Sequence, residues 1–279
     1  MLINRRLMII YYWLFKNRYS VSLIALFRRI LLPKIDYRAK KLINSIQKET
    51  ILSANYLVVS LKTLAYKLYW PESYDIKGLY QVIIETFESN DWHFYETFNT
   101  KVEKNDTVVD VGAAEGLFSL SVLDRCKNIV IIEPNKLFVE SLKCTFKNYL
   151  GKNVELFNLA AGNTNTQVEI NDNGISSGII QSKNGGIKMS TLDDILTNNH
   201  VDYIKADIEG YEMDMLRGAA ETIRKNRPKM AITCYHGNND YNEMINYVKM
   251  LVPEYKYDLT GITQYGGKPV MIHFYIHKD

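Results

Sequence analysis

The sequence predicts an α/β protein: an open, mostly parallel sheet with helices on both faces, preceded by a basic helical arm. Three observations lead to this. From about residue 76 onward, short apolar runs alternate with amphipathic helical stretches. The first such run ends in a glycine turn, where sheets of this class bind ligands. Charge is also divided unevenly. Residues 1–70 hold 13 Lys/Arg against Asp36 and Glu49, a net of +11, whereas the remaining 209 residues hold 21 basic and 29 acidic side chains, a net of −8.

At 279 residues with 47% hydrophobic and 23% charged side chains, most of the chain packs a core. The division expected is an arm over 1–75 and a main domain over 76–279. Cys126, Cys144 and Cys234 are few, odd in number and far apart. They suggest neither a zinc site nor a disulfide framework, so a cytoplasmic, reducing compartment is the simpler expectation.

Residues 1–35 contain no acid. Their apolar runs at 8–15 and 21–27 are split by Lys16, Asn17, Arg18, Tyr19 and Ser20, and neither approaches the ~18 apolar residues of a membrane span. Arg28 and Arg29 stand where a signal peptide would have its small-residue cleavage site. Two readings stay open: a basic, aromatic helix in peripheral contact with an anionic membrane surface, or an accessory arm packed on the domain. Residues 41–70 read as helical, closed by Pro71.

In the main domain, Thr107–Val111 reads as a strand and 117–126 as a helix, with Leu117, Phe118, Leu120 and Leu123 inward. Ile129–Ile132 is a continuous apolar run of the buried parallel-strand type. Leu137, Phe138, Leu142, Phe146 and Tyr149 recur at helical period up to Gly151. Val154–Leu159 is a further strand, and 161–186, rich in Asn, Gly and Ser, is loop with short strand pieces. Thr191 caps a short helix over Leu192–Leu196. Tyr203–Ala206 and Met230–Cys234 are strands enclosing a helix from about Glu212 to Lys225, followed by a helix over 241–251 and strands at 255–259 and 269–276.

The first strand ends at Asp110-Val111-Gly112. Gly112 permits a sharp turn and close ligand approach, and Gly116 opens the next helix. The Gly-x-x-x-Gly spacing is not the dinucleotide fingerprint, so an NAD-dependent oxidoreductase is disfavoured. Asp110 suits a cationic ligand portion such as an amino-acid ammonium. Glu133, 21 residues after Gly112 at the end of the second strand, is placed to accept hydrogen bonds from both hydroxyls of a ribose. Together Asp110, Gly112, Gly116 and Glu133 point to a nucleoside-plus-amino-acid ligand.

Six stretches in this order resemble the FkbM-type branch of class I methyltransferases: VVDVGAAEG (108–116), IIEPN (131–135), NLAAGN (158–163), TLDDIL (191–196), YIKADIEGYEMDMLRGA (203–219) and PKMAITCYH (228–236). The resemblance covers about residues 76–279. Ala114 stands where many relatives outside this branch carry a middle glycine. The resemblance implies a Rossmann-like methyltransferase sheet, mostly parallel with one antiparallel edge strand, and S-adenosyl-L-methionine as methyl donor. It implies cofactor contacts at Asp110, Gly112, Ala113, Gly116, Glu133, Pro134, Asn158, Ala160 and Asp207, and usually a hydroxyl as acceptor.

Methyl transfer from a sulfonium needs alignment, and an alcohol acceptor needs a base. Asp207, Glu209 and His236 lie at the ends of the fourth and fifth strands, where the acceptor would sit. The two acids could hold the cofactor's ammonium, bind acceptor hydroxyls or ligate a divalent cation, and Glu209 could simply cap the following helix. His236 is the base expected, with Tyr235 as an orienting neighbour. No His/Cys/Asp spacing makes a zinc site, so no metal is assigned. The segment Asn90–Tyr95 is either a lid over the cofactor or an aromatic packing cluster.

The function expected is O-methylation of a small-molecule or glycan acceptor. An RNA methyltransferase docked through the basic arm is the first alternative, disfavoured because the fourth strand ends in Asp-Ile-Glu-Gly and not in Asn/Asp-Pro-Pro-aromatic. A catalytically silent nucleoside-binding scaffold is the second.

Overall fold

The computed structural model describes residues 2–181, 185–197, 199–237 and 239–277. The N-terminal segment forms α1 (Leu2–Phe15), α2 (Leu23–Leu31) and α3 (Ile35–Leu42). Ser22 caps α2 by accepting from the Ala25 amide. The helical expectation for 41–70 is corrected. Residues 43–71 form an antiparallel meander of β1 (Ile43–Ile51), β2 (Ala54–Leu61) and β3 (Lys67–Pro71). Val58 and Val59 at its centre favour extended backbone. The hairpin between β1 and β2 turns on Leu52 and Ser53, both at positive φ. That geometry usually calls for Asn-Gly, which left no turn signal to read.

Asp75 caps α4 (Ile76–Phe87). There follow β4 (Thr107–Val111), α5 (Leu117–Val122), β5 (Asn128–Ile132), α6 (Lys136–Thr145) and β6 (Val154–Phe157). The Asn/Gly/Ser-rich stretch is more ordered than its composition suggests. It supplies β8 (Thr166–Asn171) and β9 (Gly178–Gln181), which join β7 (Ala160–Ala161) at its start and β10 (Ile187–Ser190) just beyond it in a four-stranded sheet ordered β7-β10-β8-β9. Part of that stretch, 182–184, lies outside the described residues. Thr191 caps α7 (Leu192–Ile195) as expected, and β11 (Tyr203–Ala206) follows.

The single helix expected over 212–225 is two, α8 (Glu212–Arg217) and α9 (Ala220–Asn226). They part at Gly218, where a Cβ would lie 2.0 Å from the Gly162 carbonyl oxygen. The chain ends through β12 (Lys229–Thr233), α10 (Tyr241–Leu251), β13 (Lys256–Thr260) and β14 (Met271–Tyr275).

The main sheet has seven strands in the order β13-β14-β12-β11-β4-β5-β6. All pairings are parallel except those of β14, which is antiparallel to both neighbours. The antiparallel strand therefore sits one in from the edge, with β13 outside it. Alternate residues of β4 supply opposite cores: Val108 packs with Leu117 and Phe138, whereas Val109 and Val111 pack with Met215 and Ile223. This is the Rossmann-like fold of class I methyltransferases. From β4 the chain winds outward to β5 and β6 and then returns to β11 on the other side, so the turn after β4 is the topological switch point.

Candidate active site

The turn after β4 is pinned to its neighbours by backbone. The Gly112 and Ala113 amides donate to Ile132 O at 2.9 and 3.3 Å. Gly112 has φ +68°, and a Cβ there would lie 2.2 Å from Asp207 O, so only glycine lets the ends of β4 and β11 approach this closely. Ala114 takes φ +48°, the left-handed region where a middle glycine would be at ease. Gly116, at φ +82°, opens α5. A Cβ on it would meet Leu142 Cδ2 at 2.4 Å, so its absence serves packing against α6.

A cleft runs along this turn. One end is lined by Gly112, Ile132, Glu133, Pro134, Phe138 and Ala160, closed by Ile179 of β9 and by Ile175 from the turn that precedes it. The Glu133 carboxylate accepts from the Ala114 and Asn135 amides, both at 2.8 Å, and burial pushes it up to about 7. The other end is a cavity of about 230 Å³ lined by Glu85, Tyr95, Ala113, Glu115, Tyr235 and His236. Gly112, Ala114, Asp207 and Glu209 border both ends.

Three sequence-assigned contacts fall outside the cleft wall. Asp110 is 1% exposed and forms an ion pair with Lys205 Nζ at 3.0 Å while accepting from Ser119 Oγ at 2.7 Å. Its assignment to a ligand ammonium is therefore corrected: the carboxylate is already engaged inside the protein. Gly116 faces α6, and Asn158 donates to Glu133 O and Pro134 O, both at 3.0 Å, bracing the end of β5. Gly112, Ala113, Glu133, Pro134, Ala160, Asp207, Glu209 and His236 do meet at the cleft.

Beyond the turn, Asp207 accepts from Tyr95 Oη at 3.0 Å and Thr233 Oγ1 at 3.2 Å. Burial opposes its charge, yet His236, Lys205 and His93 hold the carboxyl below its ordinary range. Glu209 takes φ +53°, and its carboxylate lies 3.5 Å from His236 Nε2. Burial raises it to about 7. His236 Nδ1 faces Glu212 at 3.2 Å and Asp207 at 3.6 Å. Burial alone would lower its pKa, but the hydrogen bond to Glu212 and the charges of Asp207 and Glu209 raise it to about 9. His236 therefore carries a proton at neutral pH in the free protein. Asp207, Glu209 and His236 also offer ligand atoms within 4.8 Å of one another, a spacing that a divalent cation could bridge and that sequence separation conceals.

Four functional side chains escaped the sequence reading. Glu212, with 0% exposure, accepts from the Ile208 and Gly210 amides, Thr233 Oγ1, His236 Nδ1 and Asn239 Nδ2, and so fixes the Asp-Ile-Glu-Gly loop and the imidazole together. Lys205 donates to Gly112 O at 2.6 Å and lies over the Tyr95 ring at 5.2 Å. Its signal was a lysine inside an apolar strand. Glu115 has an Oε2 with no hydrogen-bond partner among the described residues, and burial lifts it to about 8. Glu85, raised to about 7 by burial, closes the far wall.

Asn90–Tyr95 packs against this wall. Trp92 and Tyr95 are buried, and His93 Nε2 meets Tyr235 Oη at 3.0 Å. His273 lies within the sheet, held by Thr100 Oγ1 at 2.9 Å and pulled down to about 4 by burial.

The fold and the cleft define a class I methyltransferase architecture. Residues 110–259 match the family model described as the methyltransferase FkbM domain, and the chain belongs to this family. Among solved structures, a methyltransferase FkbM from Methylobacillus flagellatus KT is 22% identical with a TM-score of 0.49, covering 77% of this chain and 56% of that one. This chain thus spans little more than half the length of that relative. An rRNA methylase from Streptococcus thermophilus is 12% identical with a TM-score of 0.42, covering 63% of this chain and 90% of its own. No curated protein matches the chain at a significant level.

Proposed function

We propose that the chain is an S-adenosylmethionine-dependent O-methyltransferase acting on a hydroxyl of a small or glycan-type acceptor. The observation that carries this is one cleft, at the carboxyl ends of β4, β5, β11 and β12, in which a slot lined by Gly112, Glu133 and Phe138 shares Asp207 and Glu209 with a cavity walled by proton-accepting groups. The residues fit the cofactor. Glu133 keeps free lone pairs at the slot for ribose hydroxyls, and Glu115, whose Oε2 has no partner among the described residues and whose carboxyl burial raises to about 8, would be drawn into its charged form by the cationic methionine portion. When bound, the cofactor supplies a methyl group on a sulfonium, open to in-line displacement.

The chain's own residues then orient the acceptor and move one proton. Asp207, fixed by Tyr95 and Thr233, orients the acceptor hydroxyl. Glu209, with a pKa of about 7, matches the working pH of a general base and takes the hydroxyl proton. His236 enters as imidazolium, so the base role assigned to it passes to its partner Glu209, and His236 steadies the carboxylate and the incoming oxygen. Glu209 would hold the proton that the acceptor hydroxyl gives up, while Asp207 and His236 keep that oxygen in place at the cleft.

Glu209→Gln tests this. It should lower kcat by ~10²–10⁴-fold, remove the acidic limb of the pH–rate profile near 7, and leave cofactor affinity within about twofold. Full turnover by the variant across pH 6–9 would sink the assignment.

A further inference from the structure

A second cavity adjoins the acceptor cavity. A vestibule of about 380 Å³ shares Gln81, Glu85 and Tyr235 with it and is roofed by the N-terminal helices. Four arginines line it: Arg5 and Arg6 from α1, Arg29 from α2 and Arg38 from α3. Arg38 is committed to Glu88, and Arg29 pairs with Asp91. Among the described residues, Arg6 donates to the Leu32 carbonyl, at 3.0 Å. Neither Arg5 nor Arg6 pairs with a carboxylate among the described residues. Of the two acids on the wall, Asp91 is neutralised by Arg29, and Glu85 faces His93 at 3.6 Å. Two guanidinium groups, with Arg29 beside them, thus remain to serve an anion.

We propose that this vestibule binds a phosphoryl group carried by the acceptor whose hydroxyl is methylated in the adjoining cavity. Guanidinium forks match phosphate oxygens in pairs, and partial enclosure strengthens each bond relative to open water. The arm then has a purpose at the site: it brings guanidinium groups to a vestibule whose lining from the main domain includes no Lys or Arg. That the anion belongs to the acceptor rests on the methyltransferase reading; that the vestibule binds an anion does not.

The test is calorimetric titration of the full chain with inorganic pyrophosphate. Arg5→Glu, at a side chain with no bond to lose, and Arg5→Ala/Arg6→Ala should each weaken binding by about tenfold or more, with S-adenosylhomocysteine affinity unchanged. Absence of saturable binding, or equal binding by wild type and Arg5→Glu, overturns the proposal. Displacement of pyrophosphate by a hexose 1-phosphate supports a soluble acceptor, and displacement only by a polyprenyl phosphate in micelles supports a lipid-linked one. Displacement by neither overturns the assignment to the acceptor. Pyrophosphate binding without S-adenosylhomocysteine binding would refute the methyltransferase reading and leave the subsite standing.

A separate observation concerns the outer faces of the same helices. On α1, Leu7, Tyr11, Leu14 and Phe15 are exposed at spacings of three and four, Phe15 at 72%. On α2, Ile24, Phe27 and Leu31 repeat the pattern, Leu31 at 77%. Tyr12, Trp13 and Leu26 pack inward on the opposite sides. No described helix is long and apolar enough to cross a membrane. Seven Lys/Arg and no acid occur among residues 1–35. The apolar stripes, with Lys16, Arg18, Arg28 and Lys34 outside the vestibule lining and no acid among residues 1–35, point to an anionic bilayer surface as their occupant, with the stripes lying in the interface and these four cations among headgroups.

Co-flotation with phosphatidylglycerol-containing vesicles should be retained by the wild type and lost by Phe15→Ser/Phe27→Ser/Leu31→Ser, and should be weak with pure phosphatidylcholine. Equal flotation by the variant, or a dimer in light scattering that the same substitutions dissociate, overturns it.

Discussion

His236→Asn isolates the electrostatics of the cleft. The imidazole is 10% exposed at its side chain and faces Glu212 and Asp207 at Nδ1 and Glu209 at Nε2. Its pKa rises from 6.5 to about 9 on folding. A group whose folded value is raised contributes its stabilisation in full below the unfolded value and loses it as pH climbs through the folded one. Between pH 6 and pH 10 the charge should therefore account for about 3 kcal/mol of unfolding free energy. Urea unfolding of wild type and variant at half-unit pH steps reads this directly, provided the slope m is unchanged. The gap between the two proteins should be widest near pH 6 and close by about 3 kcal/mol toward pH 10. A gap independent of pH, or one that widens as pH rises, would refute the claim that three carboxylates hold the imidazolium.

Three further outcomes follow from contacts already described. Gly112→Ala places a Cβ 2.2 Å from Asp207 O at φ +68°; it should cost at least about 1–3 kcal/mol in strain and abolish calorimetric binding of S-adenosylhomocysteine. Glu133→Gln should weaken that binding about 10–100-fold, read in the same titration, because the amide can no longer accept from the Ala114 and Asn135 amides and from ribose hydroxyls together. Lys205→Met strands a carboxylate that is 1% exposed and should destabilise the chain by about 3–5 kcal/mol in urea unfolding, with Asp110→Asn in the same background recovering part of the loss.

The central strands of the main sheet were legible because they are buried on both faces. Runs such as Ile129–Ile132 and Tyr203–Ala206 need no partner to declare themselves, and Gly112 and Glu133 follow from strand ends alone. The meander at 43–71 was not legible, since its hairpin turns on Leu52 and Ser53 and its apolar content fits either period. Asp110 shows the same limit at the site. An acid at the end of the first strand reads as a ligand contact until Lys205, ninety-five residues later, arrives beside it on the neighbouring strand.

By itself, then, the sequence determined the α/β class, the turn at 110–116, the acid Glu133 at the end of its neighbouring strand and the pair of strands leading to Asp207 and His236. These are properties of local periodicity and of residues a few positions apart. The tertiary structure alone decided which acid is paired, which histidine nitrogen faces which carboxylate, and that the basic arm roofs a vestibule beside the cleft. Those depend on Coulomb and burial terms between groups distant in the chain, which acquire a sign and a magnitude only when folding sets their separation.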